Sequence, residues 1–133
     1  MSDQPLEPGA VAWIDLTVPD AQQIRDFYQH VVGWTPQAIG MGDYDDYSMM
    51  KRDGAPAAGI CHARGVNASL PPHWLIYITV DDVNLAAGRV LDRGGRLLRE
   101  PTDMGPHGRY CVIEDPAGAV AALYEPAKPS TAL

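Results

Sequence analysis

The chain has 133 residues, of which 46% are hydrophobic and 20% are charged, and this composition excludes an intrinsically disordered segment. The length predicts a single domain over residues 1–133 that builds its own hydrophobic core. Seventeen acidic residues against ten basic residues give a net charge of −7, which disfavours nucleic acids and anionic membrane surfaces as partners.

The two cysteines, Cys61 and Cys111, are too few for a disulfide framework and are not spaced as a metal-binding pair. The first nine residues lack the basic and apolar regions of a secretory signal, and no run of 18 apolar residues occurs. We therefore predict a cytoplasmic protein with no membrane segment and with both cysteines as buried thiols.

The first predicted element is a strand over residues 11–18, followed by Asp20 as the N-cap of a helix. Apolar residues at helical spacing continue to Val31, and Gly33 is a left-handed stop signal. Three further strands are predicted over residues 37–39, 47–51 and 57–62.

The same order of elements returns 62 residues later without a gap. A strand over residues 74–80 precedes Asp82 as N-cap, and Gly94-Gly95 ends the second helix. Strands are predicted over residues 96–99, 110–114 and 120–124, and residues 64–72 form the linker. The loops at 40–46 and 103–108 are predicted to be mobile lids.

Each repeat, about 10–63 and 72–126, is thus a βαβββ unit. The predicted fold class is α+β: an open, curved, eight-stranded mixed sheet with two helices outside. A ligand pocket is expected in the concave interior, where both repeats would contribute walls.

The sequence resembles the vicinal oxygen chelate superfamily, which includes glyoxalase I, bleomycin-resistance proteins and extradiol dioxygenases. The resemblance rests on the run WIDLTVPD at residues 13–20, on VDDV at 80–83 and on DPAG at 115–118. It implies the paired βαβββ fold and a homodimer. The tryptophan followed by an acid in the first strand is similar to a metal-free, glyoxalase-related or hydroxylase-like branch.

Metal-using members of that superfamily draw their ligands from the first and last strand of each unit. The resemblance places these positions at Trp13, Ile60, Leu75 and Ala122, and none of these side chains is a usual ligand for a divalent cation. We therefore expect no metal and no other cofactor, and no glyoxalase I chemistry.

Strand alternation predicts that Asp15, His62, His73, Tyr77 and Tyr124 share the face of those four positions. A carboxylate such as Asp15 in an apolar strand is a hydrogen-bonded core group, a ligand or proton-transfer group, or a metal ligand. His62 is either a ligand or general base or a solvated strand end. Asp15 and His62 are therefore the catalytic candidates.

Other polar residues extend the candidate site. Tyr77 and Tyr124 are core aromatics or ligand contacts, and His107 with Arg109 either binds an anionic ligand or belongs to a solvated loop. The complete ligand-binding set is Trp13, Asp15, His62, Tyr77, Tyr124, His107 and Arg109. Asp15, His62 and His73 form an alternative, relocated metal site.

These residues predict a protein that binds a small, partly apolar organic molecule in the cleft without a metal. It would act as a sequestering or resistance-type protein, or as a metal-independent enzyme. A metal-dependent lyase or dioxygenase with relocated ligands is the alternative.

Overall fold

The computed structural model describes residues 7–65 and 68–128. The chain divides into two compact units. The first unit contains Trp13–Trp74, and the second contains the described residues of Asp3–Ala12 and Leu75–Leu133. Each unit is one predicted βαβββ repeat with its own sheet and helix.

The first unit pairs its four strands in the order β2-β3-β4-β1. Strand β1 runs parallel to β4, whereas β3 runs antiparallel to both β2 and β4. The elements of this unit are β1 (Val11–Val18), α1 (Ala21–Val32), β2 (Thr35–Gly40), β3 (Asp45–Met50) and β4 (Pro56–His62).

Helix α1 begins and ends at the predicted residues. The Asp20 carboxylate accepts a hydrogen bond of 3.0 Å from the backbone N–H of Gln23, as an N-cap does. Gly33 has a φ of 86°, and its N–H donates to the Gln29 carbonyl at 3.0 Å. The helix packs on the sheet through a core that includes Leu16, Ala21, Met49 and Ile60, all buried.

The second unit repeats this pattern in the order β5-β8-β7-β6, with β5 parallel to β8 and the other pairs antiparallel. Asp82 caps the second helix through the N–H of Leu85, at 3.0 Å. The elements are β5 (Trp74–Thr79), α2 (Val83–Asp92), β6 (Arg96–Asp103), a 3-10 helix (Gly105–His107), β7 (Arg109–Glu114) and β8 (Val120–Glu125).

The α+β class is confirmed: the described residues form eight strands in mixed pairing and two α-helices, four strands and one helix in each repeat. Among these residues, neither helix is long and apolar enough to cross a bilayer.

The predicted lid loops are shorter and more ordered than expected. Gly40 pairs with Asp45, and the Met41 N–H donates to the Tyr44 carbonyl at 2.8 Å, so a tight turn replaces most of the 40–46 loop. Strand β6 reaches Asp103 rather than Arg99. Pro101 masked this extension in the sequence, but β6 pairs on one side only within its unit, where a proline is tolerated.

Strand register shows where the spacing of 62 residues changes. Asp15 in β1 and Tyr77 in β5 keep that spacing, as do the caps Asp20 and Asp82. Their partners in the last strands are Gly59 and Ala122, which are one residue further apart. The repeat therefore shifts by one residue before the last strand, and this shift decides which side chains share a face.

Candidate functional site

The first unit's sheet has one face against α1 and one face free of that helix. Leu16, Met49 and Ile60 belong to the core under α1, so the alternate residues of these strands point away from the helix. Asp15 pairs with Gly59, and Thr17 pairs with Cys61. These residues and Trp13 form the helix-free face of the first unit.

The prediction that Ile60 and His62 share a face with Trp13 and Asp15 is wrong. Ile60 pairs with Leu16 and His62 pairs with Val18, which places both on the α1 side of the sheet. The cause is the one-residue change in the repeat, because side chains alternate with a period of two and a single step reverses the face.

Gly59 is a site residue that the sequence analysis missed. A Cβ atom on this glycine would lie 3.1 Å from the Asp15 Cβ and 3.5 Å from the Trp13 ring. The absence of a side chain therefore lets the indole and the carboxylate lie close over the β4 backbone. A glycine inside an otherwise apolar strand is the sequence signal for such a close approach.

Cys61 continues this face beside two carboxylates. Burial is the largest cause that raises the pKa of the Cys61 thiol far above its ordinary value, and the negative charges of Asp15 and Asp46 raise it further. Asp46 is held by the backbone N–H of His62, which donates to its carboxylate at 2.8 Å. Cys61 is half-buried rather than buried as predicted, whereas Cys111 is fully buried in the second unit.

We expect both thiols to resist alkylation by iodoacetamide in the folded protein, because the thiolate is the nucleophile. Burial raises the pKa of Cys111 from 9.0 to about 11, which lowers its thiolate fraction at pH 8 by about a hundredfold. Cys61 should react even less, and its rate should rise with pH. Asp15→Asn removes a negative charge and lowers the Cys61 pKa, so it should speed labelling of Cys61 but not of Cys111. Mass spectrometry of the labelled peptides measures both rates, and equal acceleration of the two would contradict the local charge effect.

His62 lies in a different environment from Asp15. Its Nδ1 is 3.0 Å from the Asp45 carbonyl oxygen and 3.5 Å from the Asp46 carboxylate. The rings of Tyr44 and Tyr47 are centred 5.5 Å and 6.4 Å from the imidazole. His62 is thus held at the end of β4 on the side opposite to Asp15.

The alternative metal set of Asp15, His62 and His73 is not assembled. Asp15 and His62 lie on opposite faces, and residues 7–65 and 68–128 contain no group of three His, Cys, Asp or Glu side chains that could hold a metal. His73 precedes β5, and its Nε2 is buried with no hydrogen-bond partner within the described residues.

The register also revises the positions that carry metal in other members of the resembling superfamily. Gly59 replaces Ile60 in the first unit, while Leu75 and Ala122 keep their places in the second. Neither glycine nor alanine nor leucine has an N, O or S donor in its side chain. The residues at these positions do not fit a catalytic metal.

The second unit has a helix-free face of its own. Cys111 and Leu123 pack under α2, so Tyr110, Ala122 and Tyr124 lie on the other side of the sheet. Tyr77 pairs with Ala122, and its ring is centred 6.3 Å from that of Tyr110. The predicted residues Tyr77 and Tyr124 therefore lie on one face.

An arginine that the sequence analysis missed joins these tyrosines. The Arg99 guanidinium carbon is 5.9 Å from the centre of the Tyr110 ring, within the range of a cation–π interaction. Tyr110 and Arg99 escaped notice because the predicted boundaries of β6 and β7 left their cross-strand pairing undefined. Together with Tyr77 and Tyr124 they give this face both aromatic and cationic character.

The predicted anion site of His107 and Arg109 does not extend this face. The Tyr124 hydroxyl donates to the His107 carbonyl at 2.7 Å, but the His107 side chain is exposed. Burial raises the pKa of Tyr124. Arg109 lies on the α2 side and donates to the Asn84 side-chain oxygen at 3.4 Å. Arg109 is therefore on the opposite side of its sheet from Tyr124.

Comparisons with known proteins agree with this architecture. A family model described as the Glyoxalase/Bleomycin resistance protein/Dioxygenase superfamily matches residues 10–123. CFP32 of Mycobacterium tuberculosis, a protein named as a glyoxylase, is 30% identical over 121 residues, which cover 91% of this chain and 46% of that protein. The anthracycline biosynthesis protein DnrV of Streptomyces peucetius is 30% identical over 129 residues, with 88% and 47% covered.

The chain thus spans about half the length of the curated relatives it matches. Among solved structures, methylmalonyl-CoA epimerase from Mycobacterium tuberculosis has a TM-score of 0.58 and 19% identity, covering 96% of this chain and 94% of that one. This likeness shows a shared fold. With the family match over most of its length, the chain belongs to the glyoxalase/bleomycin resistance/dioxygenase superfamily.

Proposed function

We propose that this chain binds a small, partly apolar organic molecule on the helix-free face of its first unit, without a metal. The observation that carries the proposal is the close placement of the Trp13 ring and the Asp15 carboxylate over Gly59. An indole supplies apolar contact area, and a half-buried carboxylate supplies one strong hydrogen-bond acceptor. Ligand sites commonly combine apolar walls with a few polar groups in this way.

The ligand class follows from these side chains and from the names of the relatives. Trp13 favours an aromatic or alicyclic ring, and Asp15 favours a hydroxyl or amine group that donates a hydrogen bond. Two relatives are named for anthracycline biosynthesis, which makes hydroxylated polycyclic aromatics the first class to test. Methylmalonyl-CoA epimerases share only the fold at this level of identity, so they do not direct the choice.

The same face would serve either a sequestering protein or a metal-independent enzyme. In the enzyme, the Asp15 carboxylate would accept a proton from a C–H or O–H group of the substrate and return it to another atom of the same molecule. That role requires a pKa tuned by burial and neighbours. A saturable ligand recovered unchanged supports sequestration, and a product recovered by chromatography supports catalysis.

Asp15→Asn tests the proposal most directly. Loss of the charged acceptor should weaken binding of an anthracycline by about tenfold, because hydrogen bonds to charged groups contribute about 1.5–3 kcal/mol. Asp20→Asn is the matched control, since it removes the same charge but keeps an N-capping side chain outside the site. Isothermal titration calorimetry measures both affinities. Equal affinities of the Asp15→Asn variant and the parent protein would overturn the role of Asp15.

A metal-dependent lyase or dioxygenase remains the second candidate, because the superfamily includes such enzymes. Elemental analysis after incubation with Zn²⁺, Ni²⁺, Co²⁺, Mn²⁺ or Fe²⁺ and desalting separates the two proposals. Stoichiometric metal would overturn the metal-free mechanism. Loss of that metal in Asp15→Asn would then identify Asp15 as a ligand.

We also propose that the chain forms a homodimer in the cytoplasm. The relatives are about twice as long as the aligned region, so a second copy would supply a comparable amount of structure. Both cysteines are free, as expected in a reducing compartment. Sedimentation equilibrium measures the oligomeric state.

A further inference from the structure

A separate pocket lies on the α1 side of the first unit's sheet. It has a volume of about 350 Å³, within the range of small-ligand sites. Ile14 precedes Leu16 by two residues on the same face of β1, and Trp34 and Trp74 pack against the core under α1. The pocket is therefore on the opposite side of the sheet from Trp13 and Asp15. Its lining residues are Ile14, Tyr28, Trp34, Ala57, Ala58 and Trp74.

Aromatic rings form the walls of this pocket. The Trp74 ring meets those of Tyr28 and Trp34 nearly edge to face, with centroids 5.3 Å and 6.1 Å away and interplanar angles of 79° and 78°. The Trp74 indole N–H donates to the Tyr28 hydroxyl oxygen at 3.2 Å. Aromatic contacts of this geometry are favourable and fix the ring orientations. The walls are thus pre-organised.

The lining determines the chemical class of the ligand. None of the six side chains carries a charge, so the pocket offers no counter-charge to an ion. The small side chains of Ala57 and Ala58 leave room for a flat ring between the aromatic walls. The Tyr28 hydroxyl accepts the Trp74 bond, so its own proton is oriented by that bond and can be shared with a ligand oxygen.

The rim of the pocket is also apolar. Phe27 on α1 is 53% exposed, and its ring packs edge to face on Tyr28 at 5.1 Å. Val31, one turn further along the helix, is 64% exposed. Contiguous apolar surface on a soluble chain commonly marks a binding site. A volume of about 350 Å³ suits one or two fused rings rather than a peptide segment.

We propose that this aromatic pocket is a second binding site, which takes a small, neutral, flat aromatic molecule with a hydroxyl or carbonyl oxygen. The proposal is independent of the function proposed for the Trp13 and Asp15 face, because no residue is shared between the two.

The three indole N–H groups allow a direct test with 2-naphthol as the probe. In a ¹H–¹⁵N spectrum of the full chain, each tryptophan gives one indole signal, assigned through Trp→Phe variants. Saturable shifts of the Trp34 and Trp74 signals, with the Trp13 signal unchanged, are expected. A shift confined to Trp13 would overturn this proposal while supporting the other face, and no saturable shift of Trp34 or Trp74 would overturn it outright.

Ala57→Leu tests the pocket by filling it. The added side chain should weaken 2-naphthol binding by about tenfold or more, since overfilled sites cannot accept the same volume. Ala117→Leu, at an exposed turn of the second unit, is the matched control and should leave binding unchanged. Unchanged binding in a folded Ala57→Leu variant would contradict the proposal, as would conversion of a dimer to monomer without any 2-naphthol binding, which would identify an interface between copies.

Tyr28→Phe provides a variant that keeps the ring and therefore the packing. It should weaken 2-naphthol by about threefold to tenfold while leaving naphthalene unaffected, because only the hydroxyl contact is lost. The anion 2-naphthoate should bind at least about tenfold more weakly than 2-naphthol, since nothing in the lining offsets its desolvation. Equal affinity for the neutral and the charged probe would overturn the assigned ligand class.

Discussion

Replacing Gly108 with alanine is expected to destabilise the second unit by about 3 kcal/mol or more. Gly108 has φ 94° and ψ −151°, a conformation that is essentially restricted to glycine. An added Cβ would overlap the carbonyl oxygen of Glu125 and lie 2.9 Å from the backbone nitrogen of Ala127. These are backbone atoms of the strand end, so they cannot rotate away as a flexible side chain would.

The position of Gly108 links this effect to the site. Gly108 follows His107, whose carbonyl accepts the Tyr124 hydroxyl bond, and precedes β7. Displacement of the backbone here should therefore release the Tyr124 hydroxyl as well. Urea unfolding followed by circular dichroism measures the loss of stability.

Gly42→Ala is the control for backbone strain without a steric clash. Gly42 has a similar φ of 98°, but a Cβ there meets nothing within 4 Å. It should cost only about 1–2 kcal/mol, the usual penalty for a left-handed residue other than glycine. If both alanines cost the same, the close approach of Gly108 to β8 would not contribute to stability.

Replacing Gly59 with valine is expected to abolish ligand binding on the helix-free face of the first unit. The Cβ alone would press on Asp15 at 3.1 Å, and the two methyl groups would extend towards the Trp13 ring. Both side chains must then leave their positions. Overpacking of this kind costs about 1–3 kcal/mol, and the affinity for an anthracycline should fall by about tenfold or more.

Gly40→Val separates this effect from the intrinsic preference of valine for strands. Gly40 also lies in a strand of the first unit, has no positive φ, and has open space around its Cβ position. It should leave ligand affinity unchanged and alter stability by about 0.5 kcal/mol at most. Retention of full affinity in a folded Gly59→Val variant would show that the ligand does not occupy this face.

Several elements were predictable because their signals are local. The β1 bounds and both N-caps were assigned correctly, since Asp20 and Asp82 each precede a helix whose third N–H they satisfy. The lid loops were wrong because hydrogen bonds between β2 and β3 extend the strands to Gly40 and Asp45. Pairing of that kind depends on the partner strand, which local propensity does not describe.

The candidate site divides along the same line. Trp13 and Asp15 were identified from one strand, where the alternation of an apolar run with an acid is visible. Gly59 and Cys61 were missed, and Ile60 and His62 were assigned in their place. An ungapped repeat placed β4 one residue out of register, which reverses the face of every side chain in the strand.

The amino-acid sequence by itself determined the two βαβββ repeats, their helix caps and the superfamily, because capping, periodicity and turn residues act over a few positions. Only the tertiary structure decided which side chains share a face. Parallel pairing of β1 with β4 joins segments separated by more than 40 residues, and its register is set by packing under α1 through Leu16 and Ile60. The aromatic pocket has the same origin, since Tyr28 and Trp74 meet only when the helix and the strand are packed together.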